Sequence, residues 1–505
     1  MSVTEINRAE PATSDRSRWI ALVVLCVGML MIVLDQTIVN VALPSIQRDL
    51  HFSTSSLAWV VNAYLIAFGG LLLLAGRLGD LVGRKRIFLI GLAVFTAASA
   101  VCGLADSQSV LVGARFVQGA GGALTSSVIL GMIVTMFPEP RDQAKAMGVF
   151  AFVASGGASV GLLAGGVLTQ ALDWHWIFFV NLPIGVLASL LAVRVVTADK
   201  GIGIRAGADL PGATLVTAAL MLAVYTIVKT SDYGWGSAHT FILGGAAVAV
   251  LAAFVVREAT ARTPLVPLRI FRSRNVSGAN LVQMLMIAGM FGMFFLGAVY
   301  MQQVLHYDPL QVGLAYLPVA LGVGIVSLFV APPLNMKIGP RATLLPGLVL
   351  MTVGLLLFAA APVHADYVTH LLPVMLLVGT GAGLSFPSMM TIAMSGAQPH
   401  EAGLASGLVN TSMQVGGALG LAVLATLSAS RAKDVVASGG SSADALSSGL
   451  HLALLIGAGL VISAIVVAVA VLTPARALGQ VPAEVATERD DAPRLSVEEL
   501  YPEAA

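Results

Sequence analysis

Leu34-Asp35-Gln36-Thr37-Ile38-Val39-Asn40-Val41-Ala42-Leu43-Pro44 closes an apolar run that begins near Trp19. It holds a carboxylate where one is expensive, since a charge at the centre of a bilayer costs roughly 2.5–3.5 kcal/mol on insertion scales. Nearly all the other acids of the chain fall in loops, helix ends or tails. An acid kept inside such a run either bonds a neighbouring helix, which is the structural alternative, or binds and releases a proton or cation.

Composition sets the solvent. The 505 residues are 57% hydrophobic and 10% charged, with a mean hydropathy of +0.90. That is too little charged surface for a water-soluble chain of this length, so the protein reads as an all-α integral membrane protein. A net charge of +1 gives no sign of nucleic acid as a partner. Cys26 and Cys102 both lie in apolar runs and read as small buried hydrophobes. The segment Met1 to Arg18 is polar and mixed in charge, unlike a cleavable signal, so the first helix is expected to stay in the mature chain.

Outward from the first run (19–42), further apolar stretches lie near 55–76, 86–105, 109–133, 146–169, 175–196, 210–229 and 239–257. A second series follows near 275–302, 311–333, 341–361, 369–394, 403–427 and 450–472. Each has roughly the 18–25 residues that cross about 30 Å of hydrocarbon as helix, giving about fourteen spans. Alternate connecting segments collect the basic residues, among them Arg77, Arg84, Lys85, Arg86, Arg141, Lys145, Arg194, Lys200, Arg205, Arg257, Arg262, Arg269, Lys337 and Arg341. The opposite loops hold only Arg48, Lys229, Arg431 and Lys433. Positive charge on the inner side places both termini in the cytoplasm and the chain in the cell membrane.

The sequence repeats itself. Leu78 to Gly83 is echoed by Leu334 to Gly339 at the same spacing, without the aspartate. Gly148, Gly157 and Gly161 in the fifth span are echoed by Gly407, Gly416 and Gly420 in the thirteenth. Parallel duplication of this kind occurs in secondary transporters. It predicts a tail (1–18), a six-helix bundle (19–196), a two-helix insert with connectors (197–274), a second six-helix bundle (275–473) and a disordered tail (474–505). The Ser/Gly/Ala-rich stretch from Ser438 to Ser448 reads as a flexible outer loop.

Three groups of residues carry the chemistry. Arg115 is the basic residue well inside an apolar run of the first series, as Asp35 is the acid. Counting about 1.5 Å per residue, both lie some 10–14 Å below the outer surface, so they can meet. A neighbouring guanidinium would keep the carboxylate charged, and its displacement would let a proton bind. The alternative is a static buried pair that fixes packing. Second, Gly76-Arg77-Leu78-Gly79-Asp80-Leu81-Val82-Gly83-Arg84-Lys85-Arg86 joins spans two and three with a tight turn and a charge cluster suited to latching and releasing helix bundles. A solvated basic loop is the alternative there. Third, Gly148, Gly157, Gly161, Gly165 and Gly166 put glycines four apart on one helix face, which permits close backbone approach.

Taken together these motifs resemble the major facilitator superfamily, and within it the fourteen-span drug:proton antiporter branch of multidrug and antibiotic exporters. Leu34 to Pro44 matches that branch's first-helix motif, Gly76 to Arg86 the superfamily's loop motif, and Arg115 to Ala123 its fourth-helix motif. The fifth-span glycines match its antiporter motif, except that Leu162 stands where proline is usual. Trp174-x-Trp176-x-Phe178 and Asn181-x-Pro183-x-Gly185 also fit, and the likeness covers roughly 19–475. The resemblance implies two six-helix bundles plus two central helices, Asp35 as the proton-coupling acid with Arg115 as its relay partner, and a cytoplasmic gate of Gly76, Arg77, Asp80, Gly83 and Arg84. It implies export of small lipophilic drugs or antibiotics by alternating access, with no cofactor beyond the proton gradient and no enzymatic activity.

Polar groups nearby, namely Gln36, Thr37, Asn40, Asn62, Tyr64 and Gln118, are candidates to line the substrate cavity. Gln283, Met284, Gln302 and Gln303 are candidates from the second half. Met284, Met286, Met290 and Met293 could form an adaptable surface or plain membrane core. One acid in the cavity would favour neutral or singly cationic lipophiles over dications. Partners expected are the substrate, protons and the bilayer, with the chain a monomer. A solute importer or symporter on the same fold is the nearest rival. A non-transport membrane protein is more remote, since no phosphate-binding loop and no close histidine pair within a span is present.

Overall fold

The computed structural model describes residues 15–473 apart from 198, 200, 204–206, 364 and 396–401. The expected tails, up to residue 14 and from 474 onward, lie outside the described residues, as do Lys200 and Arg205. The first group of helices is α1 (Asp15–Asp49), α2 (Thr54–Val82), α3 (Arg84–Gly103), α4 (Gln108–Met136), α5 (Pro140–Ala171), the one-turn α6 (Trp176–Phe179) and α7 (Asn181–Val195). Next come α8 (Leu210–Tyr233) and α9 (Ala238–Thr260). The second group is α10 (Arg274–Gln303), α11 (Pro309–Ile325), α12 (Ala331–Ile338), α13 (Pro340–Ala359), α14 (Leu372–Ser395), α15 (Ala402–Ala437) and α16 (Ser442–Ala470). Among the described residues, thirteen helical segments are long and apolar enough to cross a membrane. α5 is 32 residues long, and its described apolar stretch, Ser159–Ala171, is shorter than those thirteen.

Prolines explain the irregularities. Pro183 has no N–H for the Phe179 carbonyl, and the sixth span divides into α6 and α7 just there. Pro332 and Pro333 likewise leave carbonyls on the preceding turn, which winds as a π-helix over Val326–Val330 between α11 and α12. Pro373 does the same to the turn Tyr367–Leu371 that leads into α14. One expectation is corrected: Ser438 to Ser448 is not a loop throughout. α15 runs to Ala437 and α16 begins at Ser442, because the Ser441 hydroxyl accepts from the Asp444 amide and caps the new helix.

The repeat seen in the sequence is a repeat in packing. Added β-carbons at Gly157 and Gly161 of α5 would meet Leu30 and Leu34 of α1, and at Gly416 and Gly420 of α15 they would meet Met284 and Ala288 of α10. Gly83 and Gly339 both hold positive φ (110° and 88°), each ending one helix and opening the next. α8 packs on both α2 and α15, and so covers the seam between the two groups. α9 packs on α8 and is otherwise exposed, with Ala247 and Glu258 as its buried residues. Exposed apolar side chains such as Leu187, Leu190, Phe241 and Ile242 suit contact with lipid. The turn between α2 and α3 marks one face of the molecule, called the loop face below. The turns α1–α2, α3–α4 and α10–α11 mark the opposite face.

Candidate functional site

Glycines bring α4 against its neighbours. A Cβ on Gly121 would lie 2.5 Å from the Phe95 amide, and one on Gly122 would lie 2.8 Å from the Tyr64 hydroxyl. The backbones therefore approach closely enough for Arg115 to reach across α2 to α1. Its Nη1 donates to Asp35 Oδ2 at 2.5 Å and to Gln118 Oε1 at 2.6 Å, and its Nε donates to the Val60 carbonyl at 3.0 Å. The guanidinium also lies 4.4 Å from the centroid of the Tyr64 ring. Asp35 is 0% exposed and Arg115 1%.

The other carboxylate oxygen is equally occupied. Gln118 Nε2 donates to Asp35 Oδ1 at 2.8 Å and to Ser99 Oγ at 2.7 Å, and Asn181 Nδ2 donates to Oδ1 at 3.2 Å. One buried charge thus faces one opposite charge and two neutral amides. Removing either member of such a pair leaves the other uncompensated, which costs far more than the intact pair contributes. The partners come from α4 and α7 while Asp35 is on α1, so the carboxylate changes partners only if helices move.

The contact expected from equal depth is therefore present, and Gln118 and Tyr64 belong to the Asp35 cluster rather than to an open cavity. Thr37 Oγ1 bonds the Val33 and Leu34 carbonyls of its own helix and faces Gly161 of α5. Asn40 Nδ2 bonds the Gln36 carbonyl, and Gln36 Nε2 reaches the Tyr64 hydroxyl at 3.5 Å. Asn62 is fully buried, with neither polar atom of its side chain hydrogen-bonded. Gln283 is buried, and the backbone of Met284 packs on Gly416. Met286, Met290 and Met293 are buried.

The loop motif is tied to α4 and to the connector that follows α7. Arg84 pairs with Asp80 at 3.1 Å and donates to the Gly131 carbonyl of α4 at 3.0 Å. Asp199 accepts from the amides of Arg84 (2.8 Å) and Lys85 (3.1 Å), which caps α3. Ile202 N donates to the Asp80 carbonyl, Gly203 N to the Leu81 carbonyl and Arg77 Nε to the Gly207 carbonyl. Gly83 turns the chain beside Asp199, and a Cβ on Gly76 would meet Ser127 of α4 at 3.9 Å. Of the antiporter-motif glycines, Gly157, Gly161 and Gly165 lie on α1, and Gly166 lies on Leu310 of α11 in the second group. Gly148 has nothing within 4 Å.

The sequence does not show the partners of four residues. Asn181 was read only as part of a motif, and its place beside Asp35 bears no local mark. Asp199 is one loop acid among several. Gln302 and Gln303, cavity candidates from the sequence, also bond to α1, which no local pattern marks.

A family description, Major Facilitator Superfamily, matches residues 25–421. The chain is 40% identical over 430 residues to the puromycin resistance protein pur8 of Streptomyces alboniger, covering 85% of each chain. It is 39% identical to the cephamycin export protein CmcT of Amycolatopsis lactamdurans, over 81% of this chain and 85% of that one. It is 35% identical to the tetracenomycin C resistance and export protein of Streptomyces glaucescens, over 84% and 79%. Among solved structures, a bacterial homologue of the lysosomal transporter Spinster in an inward-facing conformation superposes with TM-score 0.66 at 15% identity, covering 90% of this chain and 97% of that one, a likeness of fold.

Proposed function

The chain belongs to the major facilitator superfamily, and on that premise we propose that it is a proton-coupled antiporter exporting lipophilic drugs or antibiotics by alternating access. Relatives named for resistance to, or export of, three different antibiotics support the export reading. One observation carries the coupling reading: a fully buried carboxylate held by Arg115, Gln118 and Asn181. When Arg115 is drawn away, Asp35 takes a proton, and when the pair re-forms, the proton leaves. If substrate binding favours the state in which Arg115 and Asp35 are paired, proton and substrate exclude each other, and the linkage is reciprocal. The basic residues of the loop face support a cytoplasmic position for that face and for both termini. The chain acts as a monomer, in two six-helix units with α8 and α9 between them, and the proton gradient is its energy source.

The test is substrate-driven proton release from purified protein in liposomes, wild type beside Asp35→Asn, with lipophilic cations and neutral antibiotics as the panel. The expected outcome is loss of coupled flux in the variant with substrate binding retained. Unchanged coupling would place the proton elsewhere. Proton movement into the cell together with solute would support a symporter instead.

A further inference from the structure

On the face opposite the loop motif, α10 reaches across to α1. Gln302 Nε2 donates to the Val41 carbonyl at 2.7 Å, and Gln303 Nε2 donates to Gln47 Oε1 at 2.9 Å. Both bonds run from the second group of helices to the first. The acceptor turn is unusual because of Pro44, which lies inside α1. Proline offers no N–H to the carbonyl of Asn40 and crowds the turn before it. The bond from Gln302 falls on the next carbonyl, that of Val41, and a carbonyl has two lone pairs, so it can accept a side chain besides its own helix.

Packing agrees with the hydrogen bonds. On the same face, a Cβ on Gly166 of α5 would lie 2.7 Å from Leu310 Cα of α11, and one on Gly313 of α11 would lie 2.5 Å from the Leu162 carbonyl oxygen. Towards the loop face, Gly148 of the same α5 meets nothing within 4 Å and Phe152 is 65% exposed. A cavity of about 450 Å³ lined by Pro44, Arg48, Gln302, Gln303, His306 and Tyr307 lies against the bonded amides.

We propose that Gln302 and Gln303 form a two-point latch that holds this face shut and is released in each cycle. They are positioning residues: they bond helix α1, and neither proton nor substrate is assigned to them. Val41 stands six residues beyond Asp35 on one helix, about 9 Å along its axis. A shift of α1 that separates Asp35 from Arg115 therefore moves the latch acceptor with it. The proposal rests on the alternating-access reading, but its test measures geometry and needs no transported compound.

The experiment uses full-length protein in lipid nanodiscs, with both native cysteines replaced (Cys26→Ala, Cys102→Ala). Spin labels at Asp106→Cys and Ser438→Cys, both exposed on this face, report the distance between the groups by pulsed electron resonance. A net hydrogen bond of this neutral kind shifts an equilibrium about two- to tenfold. The double variant Gln302→Leu, Gln303→Leu should therefore move the closed-to-open ratio about 4- to 100-fold towards the wider separation. An unchanged distance distribution in a monodisperse double variant overturns the latch. Should that variant fail to fold, the milder cycle decides. Gln47→Leu and Gln303→Leu should each shift the ratio, and the pair no further than either alone. Additive shifts overturn the direct bond. A clear shift in a protein that releases no protons with any compound would keep the latch and remove the antiport reading.

Discussion

Alanine at two glycines of one helix should have opposite consequences. Both Gly148 and Gly161 lie within α5, so replacement by alanine brings each the same helix-propensity gain, up to about 1 kcal/mol. At Gly148 nothing lies within 4 Å to oppose it. At Gly161 the new Cβ overlaps the Thr37 hydroxyl and would stand 3.0 Å from the Leu34 carbonyl oxygen and 3.2 Å from Leu34 Cα. A side chain can turn aside, but backbone cannot, so α1 and α5 must part. Overpacking of this kind costs about 1–3 kcal/mol. Because the propensity gain is common to both variants, the gap between them equals that steric cost. The two native cysteines are free and buried, so a thiol-reactive fluorophore reports unfolding as they become exposed. Thermal unfolding in detergent should rank Gly148→Ala at or above wild type and Gly161→Ala below it. Adding Thr37→Ala should recover part of the loss and leave the share owed to the Leu34 backbone. Equal stability of the two alanine variants would refute the claim that the motif's glycines are contact points on α1.

Two further outcomes are expected. Asp199→Ala should remove the cap on α3, at a cost of about 1 kcal/mol, and speed hydrogen exchange at the amides of Arg84 and Lys85; unaltered exchange there would refute the capping role. Asp366, exposed just before the turn Tyr367–Leu371 that leads into α14, is held below the usual carboxylate value of 3.8 by the Thr369 amide and hydroxyl, so Asp366→Ala should lose stability relative to wild type at neutral pH. With the folded value depressed, that difference is present above about pH 4, fades as pH falls further and vanishes once the folded carboxyl is protonated; a difference that grows on acidification would contradict the sign.

The scaffold was legible because membrane solvent leaves strong marks. Runs of apolar residues mark the spans, and an acid and a base at matching depth mark the Asp35–Arg115 contact. The ends of the helices were less legible, since α1 and α15 continue past their apolar cores into polar residues that the hydropathy pattern does not assign. The divided sixth span and the two π turns follow from Pro183, Pro332, Pro333 and Pro373, but a proline in a span fixes where strain falls and not which winding relieves it. The rest of the cluster was hidden by distance along the chain. Asn181 lies 146 residues from Asp35, and an amide opening a helix looks the same whether it faces lipid, water or a carboxylate. The bonds of Gln302 and Gln303 to α1 are hidden in the same way, since their acceptors lie more than 250 residues away along the chain.

The internal repeat bears on how many protons the frame can carry. Leu30 and Leu34 of α1 stand to Gly157 and Gly161 as Met284 and Ala288 of α10 stand to Gly416 and Gly420. By the same correspondence the residue after Leu34, which is Asp35, falls on the residue after Ala288, which is Gly289. That position has no room for an acid, because a Cβ there would lie 2.6 Å from the Gly457 carbonyl oxygen. A carboxylate so placed would also face that oxygen with no guanidinium in the arrangement that Arg115 provides at α1. The two halves therefore share a way of packing helices and differ in chemistry. α1 alone joins a buried acid, the glycine face of α5 and the carbonyl that Gln302 reaches, while α10 supplies the two glutamines and no acid. A carboxylate binds one proton at a time. If Asp35 carries the coupled proton, as proposed, coupling through the repeated frame is limited to one proton per occupancy of Asp35, and any second proton in a cycle has to be carried by a group outside it.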